Sequence, residues 1–360
     1  MLDVSPRRER RRLPKDRRRL SLATSVSGVI TKFLRSIFRR LPPVARRDER
    51  IVALRQRVAN LEQLRKAWAT GPSYEVRIGE ENRLRAMEIE LGAPRHNVIG
   101  GGKFYVYDLV KSHGIEVPGQ FGRWDDPADI PWDELPDAVV IKSAFGTSSR
   151  GVRPLLRVEG GWRIATHDTV LNSEQIVADL VELRTRGLVR PPFGAEEFLD
   201  DGAGLPPVDV RVHAFYGEVP MIELRRAHLH GDFSASRFRI IDVEGRDLLD
   251  DSFTVVPIDQ GIPTPKLLDE IVDIASRLSA VLRVPYSRLD MYEVSGRIVF
   301  GEVTPRPGPP AWLGAQLDRS IGEAWERAQV RLWRDLAGGM PPEPEWGPYG
   351  DDAPRPQKGG

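Results

Sequence analysis

The residues best placed to do chemistry together lie in Arg288-Leu-Asp290-Met-Tyr-Glu-Val-Ser-Gly-Arg-Ile-Val-Phe-Gly-Glu302-Val-Thr304, two strand-like runs around Ser295-Gly296. If Ser295-Gly296 were a two-residue loop, Val294 would pair with Arg297. Asp290 would then face Gly301, with Glu302 on the opposite side of the sheet. A three-residue loop with Gly296 in the left-handed conformation pairs Glu293 with Arg297 instead. Asp290 then faces Phe300, and Glu302 and Thr304 share its face. The second register is the expected one. Two carboxylates on one face repel unless a cation lies between them. Hard oxygen ligands of this kind suit Mg²⁺, which takes its other ligands from water and phosphate.

Three other segments carry polar groups at informative positions. Asp137-Ala-Val-Val-Ile-Lys142 reads as a buried strand ending in a lysine, followed by the small polar loop Ser143-Ala-Phe-Gly-Thr-Ser-Ser-Arg-Gly151. Successive backbone N–H groups in such a loop form an anion-binding concavity, and the lysine adds a point charge. The loop is not a Walker A sequence. Gly194-Ala-Glu-Glu-Phe-Leu-Asp-Asp201 is a short extended stretch with two carboxylates, suited to an adenine and ribose pocket or to an exposed edge. In Asp209-Val-Arg-Val-His-Ala-Phe215 the period of two puts Asp209, Arg211 and His213 on one face and Val210, Val212 and Ala214 on the other. Gly217 turns the chain back toward Arg225-Arg226.

The elements that must position these groups alternate between helix and strand, an α+β pattern. Helices are expected from Lys103 to His113, from Ser173 to Arg186 behind an Asn172 or Ser173 cap, from Thr264-Pro265 through Leu282, and from Trp312 to Trp333. Ile115 to Pro118 reads as a short strand. Ile51, Leu54, Val58, Leu61 and Leu64 suggest a packing helix ending near Trp68. The expected organisation is a basic arm and amphipathic helix (1–45), a helical linker (46–96), an N-terminal module (97–141), a lid (142–195), a C-terminal part with the metal hairpin (196–337) and a disordered Pro/Gly tail (338–360).

Composition narrows the classes. With 360 residues and 40% hydrophobic content the chain can bury a sizeable core. It has no cysteine, which excludes disulfides, thiolate metal sites and a cysteine nucleophile. Neither a membrane span nor a secretory signal is recognisable. The net charge of +1 is uneven: residues 1–50 hold 16 Lys/Arg against 5 Asp/Glu, a net of +11, and the remainder carries −10. Behind the polybasic stretch, Leu22, Val26, Val29, Ile30, Phe33, Leu34, Ile37, Phe38 and Leu41 fall at helical spacing among Lys32, Arg35, Arg39 and Arg40. Such a segment can lie on an anionic leaflet. No nucleic-acid motif accompanies it.

The order of these elements resembles the TupA-like ATP-grasp family, linked to synthesis of cell-envelope polymers. The likeness spans about residues 97–325. It rests on Lys103, on Leu135-Pro136 before the Val-Val-Ile-Lys142 strand, on the 145–151 loop, on the Phe215-Tyr-Gly-Glu turn and above all on Arg288-Leu-Asp-Met-Tyr-Glu…Phe-Gly-Glu-Val-Thr304. Where that family tends to have His-Gly-Ser-Gly, this chain has Phe145-Gly146-Thr147-Ser148. The resemblance implies an ATP-grasp fold, two α+β subdomains gripping ATP, behind a basic helical extension. It implies ATP and Mg²⁺ as cofactors. Lys142 would hold the α- and β-phosphates, the backbone of Gly146, Thr147, Ser148 and Ser149 would cover them, and Lys103 would also contact the nucleotide. Glu196, Glu197, Phe198 and Leu199 would line the adenine, with Glu197 as the polar contact. Asp290 and Glu302 would hold the metal, with Thr304 a weak or indirect ligand. Arg226 or Arg225 would neutralise the transferred phosphoryl group, and Arg211 would orient the acyl phosphate or substrate. The implied activity is a carboxylate–amine ligase working on small-molecule, glycan or peptide acids and amines. An ATP-grasp kinase and a non-catalytic nucleotide-binding scaffold are the alternatives. The expected location is cytoplasmic, with residues 1–41 either at the inner membrane face or packed as a helix on the chain's own domain.

Overall fold

A computed structural model describes residues 50–59, 62, 71–92, 102–146, 149–200, 202, 206–227, 235–249, 257–306 and 313–349. The basic arm, the amphipathic segment up to Leu41, Thr147 and Ser148 lie outside them. Residues 1–61 form one unit and 62–360 another. In the first, residues 50–59 are helical and expose Ile51, Leu54 and Val58.

The second unit is built on two antiparallel sheets. One has six strands in the order β1-β6-β2-β3-β4-β5: β1 (Gln120–Trp124), β2 (Ala138–Ser143), β3 (Val152–Val158), β4 (Gly161–Ile164), β5 (Val170–Leu171) and β6 (Phe193–Glu197). The other has five in the order β11-β10-β7-β8-β9: β7 (Asp209–Phe215), β8 (Glu218–Ala227), β9 (Ser236–Ile241), β10 (Ser287–Val294) and β11 (Arg297–Thr304). Each sheet buries one face against a helix. Helix α3 (Ser173–Thr185) sets Ile176 and Leu180 on Val139, Ile141, Leu155 and Ala195. Helix α4 (Leu268–Val281) sets Ile271, Ala275 and Leu278 on Val210, Val212, Leu224, Leu289 and Met291. Helix α1 (Tyr74–Leu91) and helix α5 (Ala315–Ala337) enclose a third core of Tyr74, Ile78, Phe215, Tyr286, Ile321 and Trp325. Helix α2 (Gly102–Ser112) inserts Phe104, Tyr107, Leu109 and Val110 into the core beneath β11.

Several expectations hold and several need correction. Helix α3 carries a full capping box, Asn172 accepting from the Gln175 N–H and the Gln175 side chain accepting in return. Thr264-Pro265 does not start α4, whose first residue is Leu268. The Thr264 hydroxyl is held instead by Arg239 (2.9 Å), and Glu293 accepts the Leu267 N–H (3.2 Å). Residues 115–118 are not a strand, although the Glu116 carbonyl accepts from the Phe300 N–H at 2.8 Å. The tail expected to be disordered packs as far as Tyr349. Its Gly347 N–H reaches the Ser112 hydroxyl (2.8 Å), and Trp346 meets Tyr105 edge-on (5.5 Å).

The hairpin register is the main correction. Val294 pairs with Arg297, so the loop has two residues, Ser295 (φ 51°) and Gly296 (φ 76°). Both central residues take positive φ, the geometry that matches the twist of a hairpin and displaces the three-residue alternative. Asp290 faces Glu302, not Phe300, because the register shifts between Asp290 and Met291. Gly301 is the extra residue of this β-bulge, and it reverses the parity of β11 beyond Phe300. Asp290, Glu302 and Thr304 therefore share a face, as expected, but for a different reason. A Cβ on Gly301 would lie 2.6 Å from the Tyr292 ring and 3.2 Å from the Asp290 carbonyl. Gly301→Val is expected to destabilise the chain by about 1–3 kcal/mol in denaturant unfolding, the usual cost of overpacking. An unchanged midpoint would show that the bulge has room to spare.

Candidate active site

The face of the five-stranded sheet away from α4 carries two rows of polar side chains. Strand register sets Glu302, Asp290, Arg211 and Glu223 side by side across β11, β10, β7 and β8. The next row is Thr304, Arg288, His213 and Met221. The period of two delivers these groups to one side, while Val210, Val212, Leu289 and Met291 go to the core.

The charges are closely paired. Arg288 grips both oxygens of Asp290 at 2.6 Å and reaches the Thr304 hydroxyl at 3.0 Å. Arg211 bonds Asp209 (2.7 Å) and Glu223 (2.8 Å) and lies 3.9 Å from Asp290. Arg225 bonds the Ser236 hydroxyl (3.0 Å) and sits 3.7 Å from Asp209. Lys103, from α2, reaches Glu302 (3.0 Å) and the Gly146 carbonyl (3.3 Å), joining the small-residue loop to the hairpin. On the six-stranded sheet, Lys142 is buried against Glu196 at 2.6 Å. It also bonds the Tyr107 hydroxyl and lies 4.4 Å from that ring's centre.

Burial sets the electrostatics. It raises the Asp290 carboxyl to about 6, with Asp209 adding to the effect and Arg288 opposing it. It also works against charge on Arg211, but Asp209 and Glu223 outweigh it and hold that guanidinium above its ordinary value. Lys142 is lowered by burial, which Glu196 resists. His213 is pushed well below its ordinary value by burial, then by Arg288 and Arg211, so it is neutral at pH 7. Its Nδ1 meets the hydroxyls of Tyr286 (3.0 Å) and Tyr74 (3.2 Å).

The geometry sorts the residues expected to form the site. Lys103, Gly146, Arg211, Arg225, Asp290, Glu302 and Thr304 gather at this face, and Lys142 with Glu196 lies beside α2. Ser149 closes the small loop with φ 59°, its carbonyl accepting from the Val152 N–H at 3.2 Å. Arg226 does not belong here. It pairs with Arg237 on the opposite face and lines a cavity of about 780 Å³ with Val210, Thr264, Lys266 and Glu293. Glu197 is also turned away, held by Arg297 and by the Gly119 N–H (3.1 Å), so Glu196 is the carboxylate on the Lys142 side. Phe198 and Leu199 are buried, and Leu199 packs with Tyr292, Val294 and Val299 into an apolar wall at one end of the hairpin. Sequence reasoning missed Tyr107, Glu223 and Arg288. Arg288 had a usable signal, being two residues before Asp290 and hence on its face.

Among the described residues no three His, Asp or Glu side chains are arranged to hold a metal by themselves. The paired Asp290 and Glu302, with Thr304 nearby, offer hard oxygens only. Asp290, charged at neutral pH against the preference of its buried setting, would be relieved by a cation. The set fits a Mg²⁺ that brings phosphate and water as its other ligands.

A family model of TupA-like ATP-grasp proteins matches residues 96–326. The chain belongs to the TupA-like ATP-grasp family. The family's description names ATP as the nucleotide. Solved structures similar to this ATP-grasp chain include a D-alanine–D-alanine ligase from Bacillus anthracis, at 18% identity, over 65% of this chain and 69% of that one, with a TM-score of 0.42. A RiPP-associated ATP-grasp ligase of Chryseobacterium gregarium, complexed with ADP and a leader and core peptide, matches at 14% identity over 67% and 60%, TM-score 0.33. The macrocyclase MdnC of Microcystis aeruginosa MRC, bound to its precursor peptide MdnA, matches at 12% over 64% and 61%, TM-score 0.32. No curated protein sequence matches the chain. Family membership rests on the family match.

Asp290 is raised above the ordinary carboxyl value, and a cation binds its charged form. Mg-ATP affinity is therefore expected to fall by about tenfold per pH unit below about 6, the slope for one linked proton. Calorimetry from pH 5 to 8 checks this, and a flat profile would contradict it.

Proposed function

We propose that this ATP-grasp chain is a Mg-ATP-dependent carboxylate–amine ligase working through an acyl phosphate, in assembly of a cell-envelope polymer or a natural product. The observation that carries the reading is the pairing of Asp290 with Glu302 on one face, flanked by Arg211, Arg288 and Lys103. The face is graded from the apolar wall of Leu199, Tyr292, Val294 and Val299 to the row of Arg288, His213 and Thr304. On this reading the adenine lies against the wall and the γ-phosphate points toward Arg288.

Asp290 and Glu302 would hold the metal, and Mg²⁺ would supply charge neutralisation between phosphates. Lys142 and Lys103 bind phosphate oxygens as point charges. Arg211 and Arg288, fixed by buried carboxylates, face the charge that spreads over the transferred phosphoryl group. A substrate carboxylate oxygen bonds to the γ-phosphorus as the bond to the bridging oxygen breaks and ADP leaves. The amine nitrogen then bonds to the acyl carbon, the carbon–oxygen bond breaks, and phosphate departs as the nitrogen loses its proton. Positioning supplies much of the rate in such a step.

Lys142→Ala and Glu302→Gln are each expected to weaken Mg-ATP binding roughly 10- to 100-fold without unfolding the chain, since each removes a charge-assisted contact. Unchanged calorimetric binding in both would overturn the site. Hydroxylamine trapping during turnover with candidate acids should yield a hydroxamate. A stable phosphorylated alcohol would indicate a kinase, and binding without turnover a scaffold.

The basic N-terminus supports a further part of this proposal, attachment to an anionic membrane surface. Residues 1–50 carry a net +11 and include an apolar helical spacing from Leu22 to Leu41, and no helix of the described residues is long and apolar enough to cross a membrane. Removing residues 1–41 is expected to abolish pelleting with phosphatidylserine liposomes while leaving Mg-ATP binding intact. Equal pelleting of both chains would remove this part.

A further inference from the structure

We propose that Tyr107 is a positioning residue that fixes Lys142 against the bulge carrying Glu302. The proposal rests on the nucleotide reading above and deepens it. Lys103 and Tyr107 are four residues apart on α2 and so project from one side of the helix. Lys103 bonds Glu302 at 3.0 Å. The Tyr107 hydroxyl donates to the carbonyl of the adjacent Gly301 at 3.0 Å. One turn of α2 thus grips two consecutive residues of β11, at the bulge that brings Glu302 opposite Asp290.

The same hydroxyl meets Lys142 from the other sheet. A phenol has one proton, and here it goes to Gly301, so its oxygen can only accept from Lys142. Burial raises Tyr107 well above its ordinary value, so the proton stays. Lys142 has three N–H donors. Glu196 takes one at 2.6 Å and Tyr107 another. A third points elsewhere and is available to a phosphate. The charged groups acting on Lys142 are Glu196, Lys103 and Glu302. Tyr107 is only 1% exposed, wedged between Phe104 and Phe300 with ring centres 6.3 Å away on each side. Its oxygen is therefore held in place by packing as well as by hydrogen bonds.

Tyr107→Phe keeps the ring and removes only the oxygen. Two readouts in the full chain test the proposal. The first is the pH midpoint for acetylation of Lys142 by acetic anhydride, acetate leaving, read by peptide mass spectrometry without nucleotide. Loss of an acceptor is expected to move this midpoint downward. The second is calorimetric Mg-ATP affinity, expected to fall roughly 10-fold. Leu278→Ala, in the same core but on α4, is expected to lower the melting temperature and leave both readouts in place. An unchanged midpoint and affinity in Tyr107→Phe would overturn the proposal, as would equal shifts in Leu278→Ala. If the unaltered chain binds no Mg-ATP, the nucleotide reading falls, and the acylation midpoint alone decides whether Tyr107 holds Lys142.

Discussion

Everything in the site depends on one extra residue in one strand. A hairpin closed by a two-residue turn and paired without interruption puts Asp290 and Glu302 on opposite sides of the sheet. The bulge at Gly301 restores them to one side. It is secured by steric exclusion, because a Cβ on Gly301 would collide with the Tyr292 ring, and by the Tyr107 hydroxyl bound to its carbonyl. Bulges of this kind re-aim side chains near functional sites. Here the side chain re-aimed is half of the carboxylate pair proposed to hold the cation.

A second constraint is charge in a buried setting. Asp209, Glu223 and Asp290 oppose Arg211, Arg225 and Arg288 on one face, largely out of water. Taking any of these groups out of water alone costs several kcal/mol, so each has to find a partner. Without nucleotide they satisfy one another, Arg288 on Asp290 and Lys103 on Glu302. A triphosphate carrying its cation offers both members of each pair a new partner. Phosphate oxygens suit the arginines and lysines, and the cation suits the carboxylates. Under the proposed function the network would exchange partners without leaving a buried charge bare, so metal and nucleotide would bind together.

The sequence made the local pattern legible more readily than the pairing. Alternation along β7 assigns Asp209, Arg211 and His213 to one face from residue types alone, because a period of two has one phase once Val210 and Val212 are buried. The capping of α3 by Asn172 is equally local. Pairing is not. Ser295-Gly296 is compatible with two loop lengths, and a bulge leaves only a glycine as its trace. Glu196 and Glu197 differ by one residue in a five-residue strand, so the facing member is decided by the register with β2, which sets Glu196 beside Val140 and Gly194 beside Lys142. Arg225 and Arg226 pose the same problem at the end of β8. The Pro/Gly tail looks unstructured by composition, yet Trp346 and Gly347 find partners on α2 that no local rule reveals.

The small-residue loop shows how a departure from a family's usual sequence can be absorbed. Phe145 stands where a histidine is common, and its ring packs against Gly102, where a Cβ would come within 2.8 Å, while the Arg190 guanidinium lies 4.7 Å from the ring centre. The side chain faces the start of α2 rather than the carboxylates. Gly102 is thereby fixed next to Lys103, whose backbone N–H bonds the Ala144 carbonyl at 3.1 Å and whose ammonium reaches Gly146 and Glu302. The aromatic ring thus anchors the loop to the helix that carries Lys103 and Tyr107. The ring helps fix the distance between loop and hairpin. The proposed reaction would be driven by placement of charge, and fixing that distance would serve it directly.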